Sequence, residues 1–123
     1  MGFIIGPMNN TNNMRNNVTA YKVVRYKHGR RISCVENSSS QLTYPTDRQR
    51  MLVRAKKGAN PEIFIFDNRG IARDFLYVML TNNREDYEMW QVEANNVRSA
   101  PYGYGYPHGT MFCTSLRMIK KME

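Results

Sequence analysis

The chain has 123 residues, enough for one domain with a modest core, and its 41% hydrophobic and 23% charged residues are ordinary for a globular protein. No apolar run approaches the ~20 residues that span a bilayer, and the apolar opening at residues 3–5 is too short for a secretory signal. We therefore expect a cytoplasmic protein with no membrane association, and the net charge of +8 favours an anionic partner.

The positive charge is concentrated in the first half of the chain. Residues 1–57 contain eleven lysines and arginines but only two acidic residues, whereas residues 58–123 contain seven basic and eight acidic residues. Such an asymmetry predicts a surface that meets a nucleic acid, a nucleotide or an acidic protein. A basic face that only keeps the protein in solution is the alternative.

Residues 1–17 are rich in asparagine and have no hydrophobic periodicity, so we interpret them as an N-terminal arm. The apolar residues Phe3, Ile4 and Ile5 near its tip are expected to pack on a second subunit, and a simple packing contact between copies is the alternative. The chain is thus predicted to be a homo-oligomer with one domain over residues 18–123.

The first half of that domain is predicted to be strands. Residues 18–26 alternate, with Tyr21, Val23 and Arg25 on one face, and a turn over residues 27–29 with Gly29 leads to a return strand over residues 30–35. A polar loop over residues 36–41 and a short extended piece over residues 42–44 follow. Residues 51–55 are expected to form another strand.

The centre of the chain predicts a strand followed by a helix. Residues 63–66 are an unbroken run of apolar β-branched and aromatic residues, which is typical of a strand covered on both faces. Asp67 and Asn68 can each cap a helix. The apolar face of that helix is expected to consist of Ile71, Ala72, Phe75, Leu76, Val78 and Met79.

Two further strands are predicted near the C-terminus. Residues 87–94 alternate, and residues 110–119 form a strand with Phe112, Leu116 and Met118 directed inward. Together these segments predict an α+β fold with a mostly antiparallel sheet of about six strands and one principal helix. One helix leaves part of such a sheet uncovered, which a second subunit could cover. Aromatic residues of the predicted core are Phe64, Phe66, Phe75 and Trp90.

The two cysteines, Cys34 and Cys113, each occur in a strand-like segment. Without short metal-binding spacing or secretory context, such residues are usually buried thiols. A disulfide between them is the alternative.

Basic residues are the first candidates for a ligand site. Arginine pairs with phosphate through two hydrogen bonds and lysine adds a point charge, which favours Arg25, Arg54, Lys56 and Lys57 as ligand-binding residues. Asn60 joins them because it lies in a glycine-containing turn whose backbone N–H groups could surround an anion.

Three tyrosines on a glycine-rich segment are the second candidates. Tyr102, Tyr104 and Tyr106 alternate with glycines, so their rings could stack on nucleobases while the backbone adapts. Alternatively, these rings only cover neighbouring surface.

The two histidines, His28 and His108, both lie beside glycines in predicted turns. Two histidines with a lysine could act as base and acid in metal-independent RNA cleavage, but exposed turn histidines are the simpler interpretation. No metal ligands, catalytic residues or cofactor are predicted, because no carboxylate or cysteine accompanies either histidine and no nucleophile motif is present.

Four segments together resemble a group of small phage-encoded proteins: residues 20–25 (AYKVVR), 33–34 (SC), 63–75 (IFIFDN…ARDF) and 87–94 (YEMWQVEA). The resemblance covers about residues 18–118. Most members have no known role. The nearest characterised parallel is the anti-Thoeris signal sponges, oligomers that sequester immune signals of the cyclic ADP-ribose type, and no ligand residue carries over from them.

The sequence therefore predicts a non-enzymatic binding protein, encoded by a phage, that sequesters a phosphate-bearing nucleotide signal in the host cytoplasm. A nucleic-acid-binding or anti-CRISPR-type protein that uses the same basic face is the first alternative. A small metal-independent ribonuclease is the second.

Overall fold

The computed structural model describes residues 15–34, 42–45, 52–55, 63–82, 86–99 and 109–122. These residues form a mostly antiparallel sheet with one helix, which confirms the predicted α+β class, although the sheet has eight strands and not six. The elements in chain order are β1 (Val18–Lys27), β2 (Arg30–Ser33), β3 (Leu52–Arg54), β4 (Ile63–Phe66), α1 (Arg69–Asn82), β5 (Asp86–Asn95), β6 (Arg98–Ser99), β7 (Thr110–Cys113) and β8 (Ser115–Lys121).

The additional strands arise near the C-terminus. The predicted strand over residues 110–119 is divided into β7 and β8 at Thr114, whose N–H donates to the Asn95 carbonyl and whose carbonyl accepts from the Ala55 N–H. The short β6 follows β5 and pairs with β7. Thr114 therefore hydrogen-bonds to neither β4 nor β6, the partners of β7. Because the pairing changes at this residue, β7 and β8 can join different neighbouring strands.

The strand pairings follow the open order β3-β8-β5-β1-β4-β7-β6, and the chain connection from β7 to β8 closes the strands between them into a circuit. β1 pairs with β5 over nearly its whole length, from Val18 opposite Ala94 to Tyr26 opposite Asp86. β5 pairs with β8, β7 pairs with β4, and β4 returns to β1 where Tyr21 lies opposite Phe66. Since only Thr114 separates β7 from β8, this circuit encloses an interior that apolar side chains fill.

Two apolar cores lie on opposite faces of the strands. The inner core is enclosed by the circuit, and the outer core lies between the sheet and α1. The inner core comprises Ala20, Val24, Tyr44, Val53, Ile63, Ile65, Val92, Ala94, Val97, Met111, Cys113, Leu116 and Met118. The buried residues of the outer core are Val23, Phe66, Ala72, Leu76, Tyr87 and Met89. Val23 and Val24 thus face opposite cores, as the alternation along residues 18–26 predicts.

The helix begins at Asn68, whose side-chain Oδ1 accepts a hydrogen bond from the Ile71 N–H at 3.0 Å. Ala72 and Leu76 are its buried residues. The assignment of Val78 to the buried face is wrong, since Val78 is 53% exposed. At 3.6 residues per turn, Val78 lies about 200° around the helix from Leu76 and therefore faces away from the sheet.

The aromatic residues predicted as core differ in burial. Phe66 is buried and its ring lies 5.3 Å from that of Phe75, whereas Phe64, Phe75 and Trp90 are half-buried. Trp90 packs against the inner core and Phe75 against the outer core.

Phe112 is buried, but it does not share the interior with Leu116 and Met118 as predicted. Met111 and Cys113 occupy the inner core, and the Phe112 ring packs 5.1 Å from that of Phe64. In an unbroken strand, residues 112, 116 and 118 would share a face. The interruption at Thr114 shifts the alternation by one residue, so the inward positions change from odd to even numbers.

Both cysteines are free, as predicted. Cys113 is fully buried, and Cys34 is half-buried with its thiol donating to the Val23 carbonyl at 2.9 Å.

The predicted hairpin turn forms with His28 and Gly29 at φ values of 53° and 74°. Glycine adopts such an angle without strain. The extended piece around Thr43 joins the hairpin through a bridge to Ile32. No helix of the described residues has the length and hydropathy that a membrane span needs.

The end of the predicted arm is hydrogen-bonded to the segment between β5 and β6. Arg15 and Val97 exchange two backbone hydrogen bonds, and the Asn96 N–H donates to Asn16 Oδ1 at 3.0 Å. The Asn17 N–H donates to Asn95 Oδ1. Residues 1–14, including the apolar tip on which the oligomer prediction depends, lie outside the described residues.

Candidate functional site: a cationic and aromatic cluster on β1, β2, β5 and β8

Of the predicted ligand-binding residues, the structure describes Arg25 and Arg54. Arg25 is 3% exposed and lies on the α1-facing side of β1, opposite Tyr87, whereas Arg54 is exposed on β3, opposite Ser115. The remaining six lie outside the described residues: Lys56, Lys57, Asn60, Tyr102, Tyr104 and Tyr106.

The strand register shows that Arg25 and Arg54 do not share a site. Arg25 lies opposite Tyr87 of β5, and Arg54 reaches β5 through Ser115, which lies opposite Asn95. Tyr87 and Asn95 are eight residues apart, or about 26 Å at ~3.3 Å per residue. A single nucleotide would not contact both guanidinium groups.

A different group of charged and aromatic residues comes together at the Tyr26 end of β1. We call it the Arg31–Glu88 cluster, and it comprises Lys22, Tyr26, Arg31, Glu88, Trp90 and Lys121. Cross-strand register places them on one face, because Tyr26 lies opposite Arg31, and Trp90 lies opposite both Lys22 and Lys121.

The Glu88 carboxylate is the centre of this cluster. Arg31 donates from Nε to Oε1 at 2.6 Å and from Nη2 to Oε2 at 3.4 Å. Trp90 donates from Nε1 to Oε1 at 2.9 Å, and the Lys121 ammonium lies 3.4 Å from Oε2. Glu88 thereby links β5 to its neighbour β8 and, across β1, to β2, strands that are distant in sequence.

The Arg31 guanidinium lies between two aromatic rings. Its central carbon is 5.0 Å from the centre of the Tyr26 ring and 5.3 Å from that of Trp90. Arginine is attracted to aromatic faces by the ring quadrupole and by planar stacking. The stack and the paired hydrogen bonds to Glu88 together fix the guanidinium in one orientation.

Electrostatics keep Glu88 ionised. Burial by itself would raise the pKa of this carboxyl, whose side chain is 12% exposed, but the hydrogen bonds from Arg31 and Trp90 and the charges of Arg31 and Lys121 outweigh it. The Glu88 pKa consequently lies below its ordinary value of 4.5. A carboxylate held in this state is a poor proton donor at neutral pH.

Lys22 occupies the inner end of the cluster and is 5% exposed. Its Nζ donates to the Phe64 carbonyl at 2.7 Å and lies 5.4 Å from the centre of the Tyr44 ring. Phe64 belongs to β4, which shares only one register pair with β1, so its carbonyl accepts from Lys22 where the ladder between the two strands is short. The side chain therefore has a structural role as well as a charge.

The cluster has a formal charge of +2, because Lys22, Arg31 and Lys121 face one carboxylate. A cationic surface with aromatic rings suits a ligand that is both anionic and planar. Among the described residues, no group of three or more histidine, cysteine or acidic side chains could hold a metal ion. His28, the one described histidine, is exposed on the hairpin turn.

Sequence reasoning counted Lys22 and Arg31 only within the basic half of the chain, residues 1–57, and predicted Trp90 as a core residue. It missed Glu88, although the alternation of β5 puts Glu88 and Trp90 on one face. The hairpin turn, which sets Tyr26 opposite Arg31, was a second available signal. The pairing of β1 with β5 was the missing information.

Comparisons with protein-family models, with curated proteins and with solved structures found no match to this chain.

Proposed function

We propose that this protein is a non-enzymatic binding protein for a phosphate-bearing nucleotide, and that the Arg31–Glu88 cluster is its binding surface. The observation that carries the proposal is the formal charge of +2 beside the Tyr26 and Trp90 rings on one face of the sheet. Phosphate groups match the charge and a nucleobase matches the rings.

The accessible groups of the cluster suit the two parts of such a ligand. The Tyr26 residue is 37% exposed, so its ring offers a surface for base stacking. The Lys121 side chain is 52% exposed and its ammonium can contact a phosphate in addition to Glu88. Arg31 and Trp90 are held by Glu88 and act as a rigid support beneath these groups.

Glu88 has a supporting role in this binding surface. The cluster's only carboxylate is held ionised and engaged by Arg31, Trp90 and Lys121, so it orders the groups that would contact a ligand. The same arrangement offers charge and stacking surface, which are the requirements for retention of a ligand.

The biological role that we propose is counter-defence by a phage. In this role the protein, as a homo-oligomer in the host cytoplasm, sequesters a nucleotide immune signal. The support is the sequence resemblance to small phage-encoded proteins together with the net charge of +8.

Native mass spectrometry with a panel of linear and cyclic nucleotides, followed by calorimetry on those that bind, tests the proposal. We expect K121Q to weaken binding about 10-fold, as the loss of one charge-assisted hydrogen bond does. K120Q is the matched control, because Lys120 is the next residue of β8 and lies opposite Gln91 on the other face. Equal effects of the two substitutions would contradict a site at this cluster.

Salt dependence separates a nucleotide from a nucleic acid, the second ligand class that the charge favours. A polymer that engages several phosphates loses affinity with a log–log slope of about −0.7 to −0.9 per phosphate, whereas a ligand with one or two phosphates shows a shallow slope. If the protein binds oligonucleotides with a steep slope and binds no mononucleotide, its ligand is a nucleic acid and the proposal is wrong.

A further inference from the structure

The burial of the Lys22 side chain indicates how a ligand would be oriented on the cluster. The Lys22 residue lies at the inner end of the Arg31–Glu88 cluster and is 5% exposed, whereas Tyr26 and Lys121 are accessible at the outer end. Burial of a charged amine is costly unless several partners compensate it.

Protein groups compensate Lys22 only in part. Of the three N–H bonds of an ammonium, one donates to the Phe64 carbonyl, and the Tyr44 ring contributes a weaker attraction at 5.4 Å. Among the described residues, no carboxylate lies within ion-pair distance of Lys22. The only carboxylate of the cluster, Glu88, is engaged by Arg31, Trp90 and Lys121.

We propose that Lys22 binds a phosphate oxygen of the ligand, so that the phosphate lies inward beside Trp90 and the base lies outward on the Tyr26 ring. This inference rests on the proposed function, because it assigns the two halves of the ligand to the two ends of the same cluster. Lys22 lies directly opposite Trp90 in the register, and its amine donates to the Phe64 carbonyl on the other neighbouring strand, β4.

The test separates the phosphate from the base by using both halves as probes. Calorimetry with ribonucleoside monophosphates and with the matching nucleosides measures how much the phosphate contributes to affinity. Thermal unfolding with and without inorganic phosphate measures anion binding alone. We expect wild-type protein to prefer the monophosphate and to gain thermal stability from inorganic phosphate.

K22M should abolish the phosphate-induced rise in Tm, weaken monophosphate binding at least 10-fold, and leave nucleoside binding within twofold. K22Q keeps an N–H donor for the Phe64 carbonyl without the charge, and it should give the same losses if K22M does not fold. K120M removes an equal charge from the opposite face of β8 and should leave every readout unchanged.

The possible failures are distinguishable. If both Lys22 variants keep the wild-type preference for monophosphate and the rise in Tm, this inference is wrong while nucleotide binding stands. If wild-type protein binds no nucleotide, but phosphate raises its Tm only when Lys22 is present, the proposed function fails and an anion site at Lys22 remains. If phosphate has no effect on wild-type protein in either assay, the inference is overturned.

Discussion

At the residue scale, the Glu88 carboxylate is engaged by three side chains at once: Arg31, Trp90 and Lys121. Its partners come from β2, β5 and β8, and two of them also stack or pair with each other. Removal of one member of such a network leaves the remaining charges without their partner, which costs more free energy than an isolated surface pair contributes.

We predict that E88Q lowers the free energy of unfolding by about 1.5–3 kcal/mol at pH 7, the range for hydrogen bonds that involve charged groups. Because the folded-state pKa of Glu88 is lowered, its contribution is present above the ordinary value of 4.5 and is lost as pH falls through the lower folded value. Urea denaturation at several pH values measures this difference.

E93Q is the control for that experiment. Glu93 lies 3.9 Å from Arg117 on the more exposed face of the same strand, and such pairs contribute about 0–1 kcal/mol. A difference between E88Q and wild type that stays constant down to pH 3 would show that charge does not account for the effect.

The two thiols give a second prediction at this scale. Burial raises the pKa of Cys34 to about 11, despite the opposing charges of Lys22 and Arg25, and Cys113 is fully buried. We expect a thiol reagent at pH 8 to modify neither cysteine rapidly in the native protein and to modify both after denaturation.

Stability at alkaline pH is a second test of the burial of Cys34. A thiol whose folded pKa is raised contributes stability that is complete below its ordinary value of 9.0 and is lost as pH rises toward about 11. Rapid native labelling of Cys34 at pH 8 would contradict its burial against the Val23 carbonyl.

At the scale of elements, the start of α1 shows what local sequence leaves undecided. Asp67 and Asn68 are adjacent, and either residue type can cap a helix. In the structure, Asn68 provides the capping oxygen and Asp67 is exposed before it. Which of the two residues caps α1 depends on where β4 ends, because the end of the strand determines the residue at which the helix can begin.

We predict that N68A lowers the free energy of unfolding by about 1 kcal/mol, the usual cost of losing a cap, and that D67A changes it by less than about 0.5 kcal/mol. Chemical denaturation of the two variants, which differ by one position, measures the contrast. A larger effect of D67A than of N68A would show that Asp67 is the capping residue and that the helix starts one residue earlier.

The break between β7 and β8 is a second feature that the local sequence leaves undecided. Residues 110–119 have enough β-branched and aromatic character to predict one strand, and nothing in their local pattern marks Thr114 as an interruption. Its partners, Asn95 and Ala55, come from two other segments. The inward face therefore changes at a position that only the neighbouring strands determine.

At the scale of the whole molecule, the described surface leaves two features that bear on assembly. The first is on α1, where the aromatic Tyr77 and the apolar Val78 are each 53% exposed. The second is the part of the outer sheet face that α1 does not cover, which carries Arg54, Arg117 and Glu93. Isolated apolar residues on a surface are common, so these features alone do not require a partner.

We predict that the protein is a homodimer or a larger oligomer at micromolar concentration, held by the apolar residues 3–5. Light scattering coupled to size exclusion should give at least twice the chain mass of 14.4 kDa. Deletion of residues 1–12 should reduce that mass to a monomer, whereas replacement of Asn9, Asn10, Asn12 and Asn13 by serine should leave it unchanged. A full-length particle of 14.4 kDa would refute the assembly.

The sequence by itself determined the elements whose signals are local. The apolar run before Asp67, the alternation along β1 and β5, and the glycine turn at residue 29 each specify a strand, a face or a reversal within a few residues. For this reason the α+β class, the helix α1 and the opposing faces of Val23 and Val24 were predictable.

Tertiary structure decided what depends on which strands become neighbours. Val78 is exposed because the position of the sheet selects one stripe of α1, and Arg25 is buried because α1 covers its face of β1. Arg31 and Glu88 are 57 residues apart in sequence and meet only because β1 lies between β2 and β5. Long-range pairing is a property of the whole chain, and no pattern within one segment contains it.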